Sequence, residues 1–239
     1  MITFSLKNIN SFLTNSSQMS INQVKEDINL LKGFSKILEI KSIREIEGTN
    51  ESYNILLLIK AYEAFIQTND FQDFKCPKGK KDGTLHFHKF YKRNIIFYVG
   101  CYEICAEISL AVLKCVDCEA TDPKSQKYHA LLPDFIFPYH IFSRVIILST
   151  VYDRIVNKAK VQAIIDKRNI SHQLFYKWLK GFKKYSLSAS TILGIKNKLE
   201  LVISNIMKDI HSFLWNYYQI YYHPFFLFKN TCVPLAIIP

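Results

Sequence analysis

Over residues 1–72 the apolar positions fall mostly at steps of three and four. In INQVKEDINLLKGFSKILEI they are Ile21, Val24, Ile28, Leu31 and Phe34; in SYNILLLIKAYEAFIQTND they are Ile55, Leu58, Ala61, Tyr62 and Phe65. That period lays one apolar stripe along a helix, so the spacing predicts two helices, the second capped by Asn50, Glu51 or Ser52. From residue 73 the period changes. HFHKFYKRNIIFYVGCYEICAEISLAVLKC alternates and is β-branched or aromatic throughout, with Gly100 marking a turn. This predicts a β-hairpin whose second strand delivers the chain to Cys115. The run KYHALLPDFIFPYH, with two prolines among large apolar residues, reads as a packed connector. From about Phe142 to His223 the helical period returns, and NKLELVISNIMKDIHSFLWNYYQIYY carries one stripe of Leu199, Val202, Ile206, Ile210, Phe213 and Tyr217.

The fold class expected from these patterns is α+β and mainly α. A helical N-terminal region spans 1–72, a small zinc-ribbon-like β-hairpin with its connector 73–140, a helix-turn-helix 141–184, and a C-terminal region with a long helix and an apolar tail 185–239.

Composition narrows the class. A chain of 239 residues with 49% hydrophobic content can bury a substantial core and is folded rather than disordered. No apolar run reaches the roughly 18 to 20 residues of a membrane span, and the N-terminus lacks a basic segment followed by an apolar block. The expected location is therefore the cytoplasm, with no membrane partner. Thiols stay reduced there, so the six cysteines read as metal ligands or small buried hydrophobes rather than disulfides.

Net charge is +11, and it is clustered. Lys75 to Gly100 holds seven Lys/Arg against one acid, and Arg154 to Lys184 nine against one. These two windows exceed the total, so the remainder is slightly acidic. Lysines accumulated from an A/T-rich genome would not leave the other regions acidic. Clustered basic charge is what a phosphate backbone attracts, because each neutralised phosphate releases counterions.

Two stretches carry candidate chemistry. Zinc ribbons hold one ion between two CxxC knuckles at the ends of a β-hairpin, since tetrahedral thiolate coordination needs ligand pairs from distant sequence. Here Cys115-Val116-Asp117-Cys118 is a whole knuckle and Cys76-Pro77-Lys78-Gly79 half of one. The expected metal ligands are Cys76, Cys115 and Cys118, with the fourth position open to His86, His88, Cys101, Cys105 or water. Zinc is a possible cofactor with an incomplete ligand set. The competing reading makes His86 and His88 polar strand positions and Cys101 and Cys105 buried strand residues. A hydrolytic zinc with a bound water ranks last, because no HExxH or comparable base accompanies the thiols.

The second stretch is VQAIIDKRNISHQLFYKWLKGFKK, Val161 to Lys184. A helix-turn-helix needs apolar contacts between its helices, a turn residue tolerant of left-handed geometry and a cap for the second helix. Ile164 and Ile165 supply the first; Asn169 suits the turn, Ile170 plugs it and Ser171 caps. Phe175, Trp178 and Leu179 face inward. The polar face of the second helix then shows His172, Gln173, Tyr176, Lys177 and Lys180, continuing to Lys183 and Lys184. With Ser171, these are the candidate DNA-binding residues. Ile165 sits where a small residue is usual, and Arg168 where an apolar one is. Two ordinary bundle helices with a solvated basic face are the alternative.

Taken together, the CPxx half-knuckle, the hairpin, KCVDC, YHALLPDFIFPYHIFS and ISHQLFYKWLK resemble an uncharacterised family of bacterial transposase-like proteins, similar to the zinc-ribbon and helix-turn-helix part of insertion-sequence transposases. The resemblance covers about residues 73–184. It implies a first knuckle of the form CPxC, so Gly79 stands where the family pattern places a ligand. Transposases of this kind cut DNA with a separate domain whose acidic triad holds two magnesium ions. After Asp166 only Glu200 and Asp209 are acidic, and about 55 residues follow the helix-turn-helix, too few for such a domain. The expectation is a non-enzymatic DNA-binding protein of a mobile genetic element, acting as a homo-oligomer or with a transposition partner protein. The alternative from another class is a structural or protein-interaction module with incidental basic charge.

Overall fold

A computed structural model describes residues 2–4, 35–46, 55–68, 84–121, 127–133 and 135–221, with the single positions Phe71, Phe74, Cys76 and Phe225. Its elements are β1 (Ile2–Phe4), β2 (Leu38–Glu45), α1 (Ile55–Thr68), β3 (Leu85–Val99), β4 (Tyr102–Cys115), α2 (Val116–Thr121) and β5 (Tyr128–Pro133). Then come α3 (Arg144–Ile155), α4 (Val161–Arg168), α5 (His172–Leu193), α6 (Leu199–Lys208) and α7 (Ile210–Tyr221). No helix among the described residues is long and apolar enough to cross a membrane.

The expected hairpin is there, but it is the spine of a sheet. β3 and β4 pair antiparallel from Leu85↔Cys115 to Val99↔Tyr102. Gly100 and Cys101 turn the chain between them. Gly100 has φ +57 and Cys101 does not share a positive φ, the pattern of a two-residue turn with glycine in its first position. The other edge of β4 is shared. β2 pairs antiparallel with its first half, from Glu45↔Tyr102 to Leu38↔Ile108, and β5 with its last residues, Val112 to Lys114. β1 adds to β5 in parallel.

Between β2 and β5 the edge of β4 would have a gap, and α1 fills it. The Tyr62 hydroxyl accepts from Ala111 N–H at 3.0 Å and donates to the Leu131 carbonyl at 2.8 Å. Ser109 N–H is taken by the Ile37 carbonyl and Cys115 N–H by that of Lys127, so the edge is satisfied on both sides of the plug. Ile55, Leu58, Ile59, Tyr62 and Ile66 of α1 lie in one core cluster with Phe97, Ile104, Ile108, Leu113 and Leu131.

These findings overturn the mainly helical fold with a small hairpin and one long C-terminal helix. An antiparallel four-strand sheet, extended by β1, occupies much of the chain. Three signals misled. Leu38–Glu45 falls within the region expected to be helical but is a strand; an irregularity between Ile40 and Ser42 turns Ile43 back to the packed side and breaks the alternation. Tyr128–Pro133, read as connector, is a strand whose burial alternates only from Tyr128 to Leu131, with a histidine at a buried position, and is continuous from Leu131 to Pro133. The C-terminal stripe is two helices broken at Asp209, whose carboxylate accepts from Ser212 N–H at 3.0 Å and so starts α7 afresh. Its residues Val202, Ile206, Ile210, Phe213 and Tyr217 are nevertheless all buried together. Helix α1 lies where its period places it; the first helix expected around Ile21 to Phe34, the caps at Asn50 to Ser52, and the tail beyond Phe225 lie outside the described residues.

A second cluster unites α3 to α7 and rests on the turn end of the hairpin through Tyr98 and Ile96. The connector runs along β3 to reach it. Arg93 donates to the carbonyls of Phe137 (2.9 Å) and His140, Ile96 N–H donates to Ile141 O, and Ser143 N–H to Ile96 O.

Replacing Tyr62 by phenylalanine keeps the ring but strands a buried N–H and a buried carbonyl. Tyr62→Phe is expected to destabilise the protein by about 1–3 kcal/mol, read as a lower midpoint in urea at unchanged slope. A midpoint equal to wild type would show that the plug is dispensable.

Candidate functional site

The open end of the hairpin gathers the thiols. Cys115 is the last residue of β4 and Cys118 lies in the single turn of α2 that follows, so both point back toward the chain arriving at β3. Cys76 meets them there. The three Sγ atoms lie within 4.8 Å of one another, all three residues are buried, and Cys76 Sγ is 3.4 Å from Cys118 Sγ. This buried group could hold a metal ion.

The same burial governs their protonation. Burial opposes ionising Cys115, but hydrogen bonds from Thr84 Oγ1, the Cys118 backbone N–H and the neighbouring thiols outweigh it, and its pKa falls below the ordinary thiol value. Cys118 is pushed up to about 12, by burial first and then by the hydrogen bonds and charges of Cys76 and Cys115. One negative charge is thus welcome in the cluster and a second is not, unless a cation joins it.

The expected candidates for a fourth ligand are not beside the cluster. His86 pairs across from Lys114 and is exposed; His88 is exposed at the irregularity of β3 and stacks on Tyr128 with centroids 4.7 Å apart. Cys101 and Cys105 lie at the turn end of the hairpin, the far end of the sheet. The nearest imidazole is one the sequence reasoning passed over, His129 of β5. Its Nε2 is 3.5 Å from Cys76 Sγ, and the residue is only 2% exposed. His129 is paired opposite Leu113, hence on the side of the sheet that also carries Cys115. Its signal was a histidine opening the apolar run HALLP, where a polar residue needs a buried partner. Gly79 lies outside the described residues.

The second candidate site has the expected local geometry. Helix α4 ends at Asn169, which adopts the left-handed conformation (φ 48, ψ 50), and Ile170 is buried behind it. Ser171 caps α5, its Oγ accepting from Leu174 N–H at 3.2 Å. Phe175 and Trp178 are buried and Leu179 is partly buried. Ser171, His172, Gln173, Tyr176, Lys177, Lys180, Lys183 and Lys184 are all exposed. At 100° per residue the seven that belong to α5 fall within about 140° of its circumference, one continuous face. Helix α5 contains no acid, and it runs on to Leu193, nine residues past the expected end of the motif. Lys180, Lys183 and Lys184 make no ion pair among the described residues. On the solvent side of the sheet, by contrast, Lys92 lies 2.8 Å from Glu107 and Arg44 2.9 Å from Glu103.

Arg168, the residue at odds with an apolar position, is buried with partners. It donates to Ser149 Oγ at 3.0 Å, reaches Asp153 Oδ2 at 3.5 Å, and covers the Tyr98 ring at 5.3 Å. One guanidinium therefore ties α4 to α3 and to the sheet. Behind α5, His140 packs edge-on to Trp178.

The chain matches no protein-family model, no curated protein and no solved structure. What these sites do rests on their own geometry.

Burial lowers the His140 pKa to about 4, helped by the positive charges of Lys177 and Arg93. The folded chain thus refuses a proton that the unfolded chain accepts below pH 6.5. Stability from this group is full above 6.5 and drains as pH falls toward 4, by up to about 3 kcal/mol. Denaturant titrations across that range should show a shallower decline for His140→Gln than for wild type; parallel curves would remove His140 as the cause.

Proposed function

We propose that the protein binds double-stranded DNA through its helix-turn-helix, with the start of α5 in the major groove. The observation that supports this most is the α5 face: exposed, free of acids and basic from Lys177 to Lys184, beginning at a capped N-terminus next to a left-handed turn. His172, Gln173 and Lys177 stand where base edges would be read, and Lys180, Lys183 and Lys184 where phosphates would pass. Zinc, as a structural ion of the thiol cluster, belongs to the same reading. So does a place beside a mobile element, as a transposase-like DNA binder in company with another copy or a partner protein. The sheet is the weaker candidate surface, because Lys92 and Arg44 already face carboxylates.

The two groups on α5 should fail differently. Gln173→Ala is expected to cost about 1–3 kcal/mol for a preferred site and little for random DNA. Lys183→Ala should weaken all sequences alike and reduce the log-log salt slope by about one. Gel-shift titrations at several salt concentrations read both. If neither variant changes binding while substitutions between Lys75 and Arg93 do, α5 is not the contact element; no binding at low salt would remove the DNA reading and leave the interaction module.

The protein is also expected to leave supercoiled plasmid intact with Mg²⁺ or Mn²⁺. Glu200 pairs with Lys158 at 2.9 Å and Asp209 caps α7, so neither is part of a carboxylate group that could hold two ions. Cleavage that disappears in Glu200→Gln or Asp209→Asn would overturn this.

A further inference from the structure

We infer that His129 is the fourth ligand of a closed Cys₃His zinc site formed with Cys76, Cys115 and Cys118, and that this site fastens β5 to the open end of the β3–β4 hairpin. The argument is geometric. Around tetrahedral zinc, with Zn–S near 2.3 Å and Zn–N near 2.0–2.1 Å, a sulfur and a nitrogen ligand stand about 3.5 Å apart and two sulfurs about 3.8 Å. Cys76 Sγ stands 3.5 Å from His129 Nε2 and 3.4 Å from Cys118 Sγ, and the three sulfurs lie within 4.8 Å of one another. His129 stands outside that 4.8 Å group, so the imidazole closes on Cys115 or Cys118 by more than an ångström when the ion enters. The histidine replaces the thiolate that Gly79 does not supply, so the degenerate first knuckle is completed from another strand.

Two other uses of these residues fit less well. A nucleophilic Cys76–His129 pair needs a substrate to reach it, but the two residues are 1% and 2% exposed. An open zinc carrying a reactive water needs a free fourth position, and an imidazole already stands against Cys76. Four ligands from four segments, namely the stretch before β3, the end of β4, α2 and β5, are what a structural site needs. This inference is independent of the DNA reading, since it concerns the end of the sheet away from α5.

The test uses the full chain, purified under reducing conditions without chelator or a metal-binding tag. Elemental analysis should find one zinc per chain, and X-ray absorption at the zinc edge should show three sulfurs and one imidazole nitrogen. His129→Cys should keep the zinc with four sulfurs. His129→Ala should bind it more than about 100-fold more weakly, given that even outer-shell changes cost 10- to 100-fold. Wild-type protein without zinc, a shell of three sulfurs and a water oxygen with no imidazole scattering, or unchanged affinity in His129→Ala would each overturn the assignment. Should His129→Ala fail to fold, the wild-type spectrum and His129→Cys still decide it.

Discussion

A buried strand must place every backbone N–H and C=O, and in this fold the strand under that constraint is β4. One edge is taken by β3 along its length, while the other is divided between β2 and β5, which approach from different parts of the chain and do not meet. The residue at the division, Ala111, is 0% exposed, so water cannot serve its N–H. The Tyr62 hydroxyl does, and by donating onward to Leu131 it also binds β5. One side chain from α1 thereby joins helix, central strand and edge strand. Burial raises the pKa of Tyr62 well above the usual phenol value, which keeps the proton that the bond to Leu131 requires.

The helical half meets the sheet partly through buried charged side chains. Arg168 is buried at the junction with a carboxylate, a hydroxyl and an aromatic face around it. An apolar residue there would pack, but it would not hold α4 at a set angle to both α3 and β3. Arg144 does similar service on the connector, reaching the Ile136 carbonyl and lying over Phe137 at 4.7 Å. Two sets of basic residues in this half contrast. Arg144 and Arg168 are inside with partners, and the lysines of α5 are outside with no acid on their helix.

That division explains what could be read in the sequence. The turn between α4 and α5 was legible to the residue, at Asn169, Ile170 and Ser171, because caps and left-handed turns are local and their chemistry lies within a few positions. The hairpin and its glycine were legible for the same reason. The sheet was not, because its other strands are disguised: β2 by an irregularity that breaks alternation after Ile40, and β5 by a histidine at a buried position and continuous burial from Leu131 on. The break at Asp209 was visible as a residue type but not as a cap, since the apolar stripe continues through it. Three thiols could be foreseen from KCVDC and the half-knuckle, whereas His129 could not, because its nearness to Cys76 depends on a strand pairing that no spacing announces.

The two candidate sites stand at opposite ends of β3. From Leu85, beside Cys115, to Ile96 and Tyr98, where the helices rest, is about a dozen residues, or on the order of 40 Å of strand. A metal ion at the open end can thus influence α5 only through structure, not by field or contact. The route for that influence is the connector. It leaves β5 just past His129, is held to β3 by Arg93 and Ile96, and brings His140 against Trp178 behind α5. A hold on β5 at one end would fix where the connector begins, while Arg93 and Ile96 fix where it ends. With both ends held, α4 and α5 would keep their orientation to the sheet even though the two sites share no residue.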